Sequence, residues 1–145
     1  MNLGALIAIG FVAVFILFWC LIMFLISKIS GWSKIAKAYP FTETNAGMFI
    51  EKSNFNNMMI GYQTKLNGMM SIRFYEQGIM IKPMKLFGAF FSPIFFDRTA
   101  LKKGSYRGTE QLGVFQIEAE GKLIMIIGKV APRIDQFTKS KNPYF

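Results

Sequence analysis

Leu3-Gly4-Ala5-Leu6-Ile7-Ala8-Ile9-Gly10-Phe11-Val12-Ala13-Val14-Phe15-Ile16-Leu17-Phe18-Trp19-Cys20-Leu21-Ile22-Met23-Phe24-Leu25-Ile26 contains no charged side chain. As an α-helix these roughly 24 residues measure about 36 Å, at ~1.5 Å rise per residue. The hydrocarbon core of a bilayer is ~30 Å thick, so the stretch spans it with modest tilt. A helix also satisfies its own backbone hydrogen bonds, which lipid cannot do. A cleaved signal peptide is the competing reading. It wants a cationic start, an apolar run of ~7–15 residues and a small-residue cleavage site. Met1-Asn2-Leu3 has no side-chain charge, and Leu25-Ile26 are bulky. The expectation is an uncleaved transmembrane anchor over residues 1–29.

Lys28, Lys34 and Lys37 follow this run, and no Lys or Arg precedes it. The positive-inside rule then puts the N-terminus outside and the C-terminal domain in the cytoplasm. The span has no ionisable side chain except the Cys20 thiol, so it offers no ion path. Gly4-xxx-Ala8 is a weak small-xxx-small pattern for helix packing.

All the side-chain charge lies after the apolar run, and 17 basic minus 8 acidic residues give +9. Beside an anionic leaflet, each Lys or Arg near the surface is worth up to ~1 kcal/mol. No nucleic-acid-binding motif accompanies this charge, so nucleic acid is not an expected partner. Cys20 is the single cysteine and there is no histidine. That composition excludes intramolecular disulfides, Cys/His zinc sites, and Ser-His-Asp or Cys-His chemistry.

The segment 30–40 reads as an amphipathic juxtamembrane helix. Trp32, Ile35, Ala36 and Tyr39 share one face, and Ser33, Lys34 and Lys37 share the other. Pro40 ends it. Two readings stay open. In one, Lys28, Trp32, Lys34, Lys37 and Tyr39 sit at the membrane interface; in the other, the helix packs into the domain with Trp32 in its core.

From residue 41 to residue 145 the pattern is β-rich. Met48 to Lys52 and Met58 to Leu66 read as two strands, with Asn67-Gly68 as the hairpin turn that follows. Met70 to Tyr75 and Ile79 to Ile81 flank a second turn at Glu76-Gln77-Gly78, and Pro83 stops the run. Leu86 to Phe96 is densely aromatic and too short to span a bilayer. Ile94 to Phe96 suit a buried strand, whereas Phe87, Phe90 and Phe91 suit a loop that docks on lipid or on a partner protein. Asp97 to Gly108 reads as a polar, basic loop. Leu112 to Glu118 and Leu123 to Ile127 form a last hairpin. Pro132 opens a short helix whose apolar face is Val130, Ile134 and Phe137, and the tail from Lys139 to Phe145 is expected to fray.

Anchor, amphipathic link, six or seven strands and a short terminal helix define an α+β chain. Its domain is a bent sheet or partly open antiparallel barrel capped by the helix. This order resembles the pleckstrin-homology-like (PH-like) fold. The chain is similar to small bacterial single-span membrane proteins with a PH-like cytoplasmic domain. The resemblance is carried by Gly31-Trp32-Ser33-Lys34-Ile35-Ala36 with Tyr39-Pro40, by Tyr75-Glu76-Gln77-Gly78-Ile79-Met80-Ile81, and by the apolar stretch ending Ser92-Pro93-Ile94. It implies a bacterial inner (cytoplasmic) membrane location. The terminal helix is short for capping a PH barrel.

No catalytic residue, cofactor or metal site is expected. Glu118 and Glu120 alternate beside Gly121 and read as solvated. Gly104 to Gly108 lacks the Lys-Ser/Thr of a phosphate-binding loop. Lys85, Lys102, Lys103 and Arg107 are a candidate anion patch, for which the PH-like resemblance implies a lipid headgroup and the plain reading is a solvated loop. Two functional classes follow. One is an adaptor or accessory subunit of a larger membrane complex or homo-oligomer. The other is a sensor of the membrane surface that binds anionic lipid.

Overall fold

The computed structural model describes residues 2–85, 88 and 90–140. It begins with α1 (Leu3–Ile29), α2 (Trp32–Ala38) and α3 (Glu43–Ala46). Then come β1 (Phe49–Ile60), β2 (Thr64–Tyr75), β3 (Gly78–Pro83) and β4 (Ile94–Asp97). The chain closes with α4 (Arg98–Lys102), β5 (Ser105–Gly108), β6 (Gly113–Ala119), β7 (Lys122–Gly128) and α5 (Val130–Lys139).

α1 starts at Asn2, whose side chain accepts from the Ala5 N–H at 2.8 Å. Its first two-thirds are exposed apolar surface, and a single helix of this length and composition is found among the described residues. Its last two turns are different, since Met23 and Ser27 are buried in the domain. Gly31, at φ +81°, reverses the chain into α2 with a backbone conformation that side-chain-bearing residues disfavour.

The seven strands form one antiparallel sheet in the order β4-β3-β2-β1-β7-β6-β5. Two meanders, β1 to β4 and β5 to β7, are joined where β1 pairs with β7, from Asn57 opposite Ile127 to Ile60 opposite Ile124. One face is the core. It is made of Met70, Ile72 and Phe74 from β2, Ile79 and Ile81 from β3, Phe115 and Ile117 from β6, and Ile124 and Ile126 from β7. α2 adds Trp32 and Ile35, and α5 adds Val130, Ile134 and Phe137, the apolar face read from its sequence. Arg98 ties the α5 end down. It donates to the carbonyls of Glu76, Phe137 and Ser140 at 2.8, 2.8 and 3.1 Å and stacks 3.9 Å from the Phe137 ring centroid.

Several expected boundaries move. The first expected strand and the first part of the second belong to one twelve-residue strand, β1, kinked at Phe55 (φ +60°), while Thr64 to Leu66, the last part of the second, begin β2. Asn56 sits in that bulge, and its amide donates to the carbonyls of Ser53 and Met70. The hairpin turn is not Asn67-Gly68 but residues 61–63, since Ile60 pairs with Thr64. Gly68 keeps its positive φ inside β2, where its N–H donates to the Asn57 side chain at 2.6 Å. The basic stretch after Asp97 is not a loop: Asp97 caps α4 by accepting from Ala100, and Ser105–Gly108 pairs with β6 as β5. The expected frayed tail lies largely outside the described residues.

Candidate functional site

The end of the sheet next to α1 is built from four separate pieces. Ser27 is the hub. Its hydroxyl donates to the Phe90 carbonyl at 2.9 Å, so the Ser33 hydroxyl, 3.0 Å away, donates to Ser27. Trp32 donates from Nε1 to the Ser92 carbonyl at 2.7 Å, with its ring edge-to-face on Phe91. Phe24 and Phe90 meet edge-to-face at 5.9 Å. On the other side of α1, Gln63, Thr64 and Leu66 of the β1–β2 hairpin line a cleft of about 390 Å³ with Ile22, Leu25 and Ile26. Ser33 and the Phe90 segment therefore hold the last two turns of α1 directly on one flank, Met23 is buried in the core, and the β1–β2 hairpin faces the other flank across the cleft. N-terminal to these turns, residues 3–21 are an almost wholly exposed apolar stretch about 28 Å long at ~1.5 Å per residue, and Phe24, Leu25 and Ile29 stay exposed within the turns themselves.

The expected interface residues divide accordingly. Lys28, Lys34 and Lys37 are exposed, and Lys28 Nζ lies 5.8 Å over the Phe24 ring. Lys28 and Lys37 line one cleft with Phe41 and Pro93. Trp32 is a correction: it is completely buried, and its ring is core rather than interface. The reason is geometric, because Gly31 turns α2 back onto the sheet and points that face inward. Tyr39 is half-buried against Phe96.

Of the expected docking loop, Phe87 lies outside the described residues. Phe90 is 40% exposed, whereas Phe91 is 5% exposed and packed on Trp32, which removes it from any docking surface. The expected anion patch comes apart. Lys102 ends α4 and Lys103 caps it, the helix follows Asp97, which pairs with Gly78, and Arg107 is on the edge strand β5. Lys85 follows the other end of β3. Seven residues separate it from Gly78, on the order of 20 Å of strand. Lys102, Lys103 and Arg107 thus lie toward the end of the sheet remote from α1.

A different cationic group lies on the outer face of the sheet. In the register, Lys52 faces Arg73 and Ser71 faces Lys82, so all four project from the side opposite Ile72 and Ile81. Arg73 Nε and Ser71 Oγ are buried without a hydrogen-bond partner. The Lys82 pKa is held below its usual value, first by desolvation and then by Arg73, Lys52 and Lys85. No carboxylate forms an ion pair with these cations among the described residues. Glu51, the next acid along β1, is engaged by Arg133 through two hydrogen bonds of 2.5 and 2.8 Å. Sequence reading overlooked the group because its members are far apart in the chain. The available signal was alternation, with Ser71 and Arg73 interleaved with Met70, Ile72 and Phe74.

Glu118 and Glu120 are exposed, Glu120 in the turn before β7. The chain matches no known protein-family model, and no curated protein matches its sequence.

Proposed function

We propose that this chain is a single-pass protein of the bacterial inner membrane, N-terminus outside and domain in the cytoplasm, acting without chemistry as a module of the membrane surface. The observation that carries the reading is the grip on α1. A span joined to its domain by a free linker leaves the domain's height undefined. Here Met23 and Ser27 are part of the domain, and the free apolar length of about 28 Å closely fits a ~30 Å hydrocarbon core. The bilayer surface then meets the domain at Phe90 on one side and the β1–β2 hairpin on the other, with Lys28, Lys37, Lys65 and Lys85 at headgroup level. The strand order and the terminal helix support the PH-like reading, although α5 is only ten residues long.

The adaptor reading keeps one specific support. Phe24 and Phe90 form an exposed aromatic pair at the base of α1, suited to the span of a neighbouring membrane protein.

The test begins with the native membrane. The chain should resist extraction at high pH, and protease added to sealed right-side-out vesicles should leave the domain intact. Release by alkaline wash, or cleavage of the domain from outside, sinks the reading. Gentle solubilisation and native gels decide the adaptor role: a monomer or dimer alone excludes it.

A further inference from the structure

The outer-face cations have a cost that folding does not explain. Three positive side chains are brought together on adjacent strands, and none of them forms an ion pair among the described residues. Like charges placed opposite one another weaken a sheet. A buried donor without a partner adds a further penalty, and Arg73 Nε and Ser71 Oγ are both in that state, with Ser71 only 2% exposed. Arg73, Lys82 and Ser71 supply a guanidinium fork, an ammonium and a hydroxyl. That donor set matches the oxygens of a phosphate.

Position narrows the source. Met69, two residues before Ser71, lines the cleft against Ile22 and Ile26 of α1. Ser71 and Lys82 therefore stand about 7 Å further along the strand than the level at which α1 enters the domain. That is within reach of the headgroup layer in the reading proposed above, on which this inference rests. Next to Arg73 and Lys82 the surface opens into a cleft of about 400 Å³ floored by Tyr75 and Met80 and walled by Phe41 and Phe49, with Glu43 also on its lining. This cleft has room for the part of a headgroup beyond its phosphate.

We propose that the outer face of β1, β2 and β3 is a binding site for the phosphate of an anionic lipid headgroup, held by Arg73, Lys82 and Ser71. Lys52 and Lys85 raise the local potential without touching the ligand. This site is separate from Lys102, Lys103 and Arg107.

The experiment uses the full chain in neutral detergent micelles, titrated with short-chain phosphatidylglycerol, with phosphatidylcholine of the same chain length, and with inorganic phosphate, and read by native mass spectrometry. Phosphatidylglycerol should bind at least about tenfold more tightly than phosphatidylcholine. Arg73→Gln and Lys82→Gln should each weaken it about tenfold, the size of one lost charge-assisted contact. Lys102→Gln should leave it unchanged. Lys82 is only partly buried and, unlike Arg73, has no buried unpartnered atom, so the effect of Lys82→Gln is readable even if Arg73→Gln perturbs the fold. Equal binding of the two lipids, or affinity unaffected by Lys82→Gln, overturns the site. Inorganic phosphate binding as tightly as phosphatidylglycerol overturns the lipid source and assigns the same donors to a soluble phosphate. Failure of the underlying reading looks different: the wild-type chain then leaves the membrane on alkaline wash. A chain that stays but shows no lipid preference sinks only this site.

Discussion

Trp32→Ala separates the two sequence readings of the juxtamembrane helix. The indole is fully buried, its Nε1 hydrogen bond to the Ser92 carbonyl is 2.7 Å long, and its edge rests on Phe91. Truncating a buried aromatic costs about 3–5 kcal/mol, and the abandoned Ser92 carbonyl places the effect in the upper half of that range. For a domain of this size each kcal/mol lowers the melting temperature by roughly 4 °C, so the expected drop is about 15–20 °C. The assay is thermal unfolding of the full chain in micelles, followed by near-UV circular dichroism of the tyrosines. Trp32→Phe keeps the ring packing, loses the donor, and should fall by about a third as much. An interfacial Trp32 would leave the melting temperature almost unmoved, as surface substitutions usually do, within ~0.5 kcal/mol. A shift below about 2 °C for Trp32→Ala would refute the argument.

Three further outcomes are expected. Arg98→Leu removes two bonds to backbone carbonyls at the end of α5 and one to Glu76 in the β2–β3 turn, and should destabilise by about 2–3 kcal/mol, with amide exchange in α5 rising more than in β1. Gly78→Ala places a methyl 2.1 Å from the Phe96 carbonyl oxygen and 2.8 Å from Asp97 Cα, so β3 and β4 must part; exchange at Ile79 and Phe96 should rise and stability fall by about 1–3 kcal/mol or more. Lys82 has a folded-state pKa below its ordinary 10.5, so it opposes folding while charged, and wild-type stability should rise with pH across the window from that lowered value to 10.5. Lys82→Gln should abolish this rise and, at neutral pH and low salt, melt above wild type, a difference that narrows near ~0.5 M salt as the repulsion from Arg73, Lys52 and Lys85 is screened, while the larger part, due to desolvation, persists.

How much the sequence revealed follows from which signals are local. α1 was legible because a charge-free apolar run of this length, without proline, favours a single helix, and α5 because Val130, Ile134 and Phe137 keep helical spacing on one face. The turn at Glu76-Gln77 was legible because Gly78 leaves no room for a side chain against β4. The β1–β2 hairpin was not. Asn67-Gly68 satisfies a positive φ equally well in a turn or a bulge, and only the pairing of Ile60 with Thr64 decides between them. Ser53 to Asn57, three asparagines and a serine around Phe55, likewise has no strand alternation, and what carries β1 through it is the Asn56 amide bonded across to the Met70 carbonyl. Trp32 and Phe91 were ambiguous because an aromatic ring suits both a core and a headgroup layer, and their partners lie some sixty residues apart in sequence. The outer-face cations were hidden for the same reason. Lys52, Arg73 and Lys82 become neighbours only when three strands are in register.

The central claim is that the domain grips the end of α1 and so rests on the bilayer at a fixed height. It is tested most directly by depth. In the full chain with Cys20→Ala, a small fluorophore is attached after Phe90→Cys, Tyr62→Cys or Glu110→Cys, and the protein is reconstituted in vesicles carrying a quencher on the lipid just below the headgroup. Positions 90 and 62 flank the base of α1, whereas Glu110 lies between β5 and β6 at the far end of the sheet. The account predicts strong quenching at 90 and 62 and none at 110. Equal and weak quenching at all three positions would mean that the domain floats free of the membrane, and would contradict it.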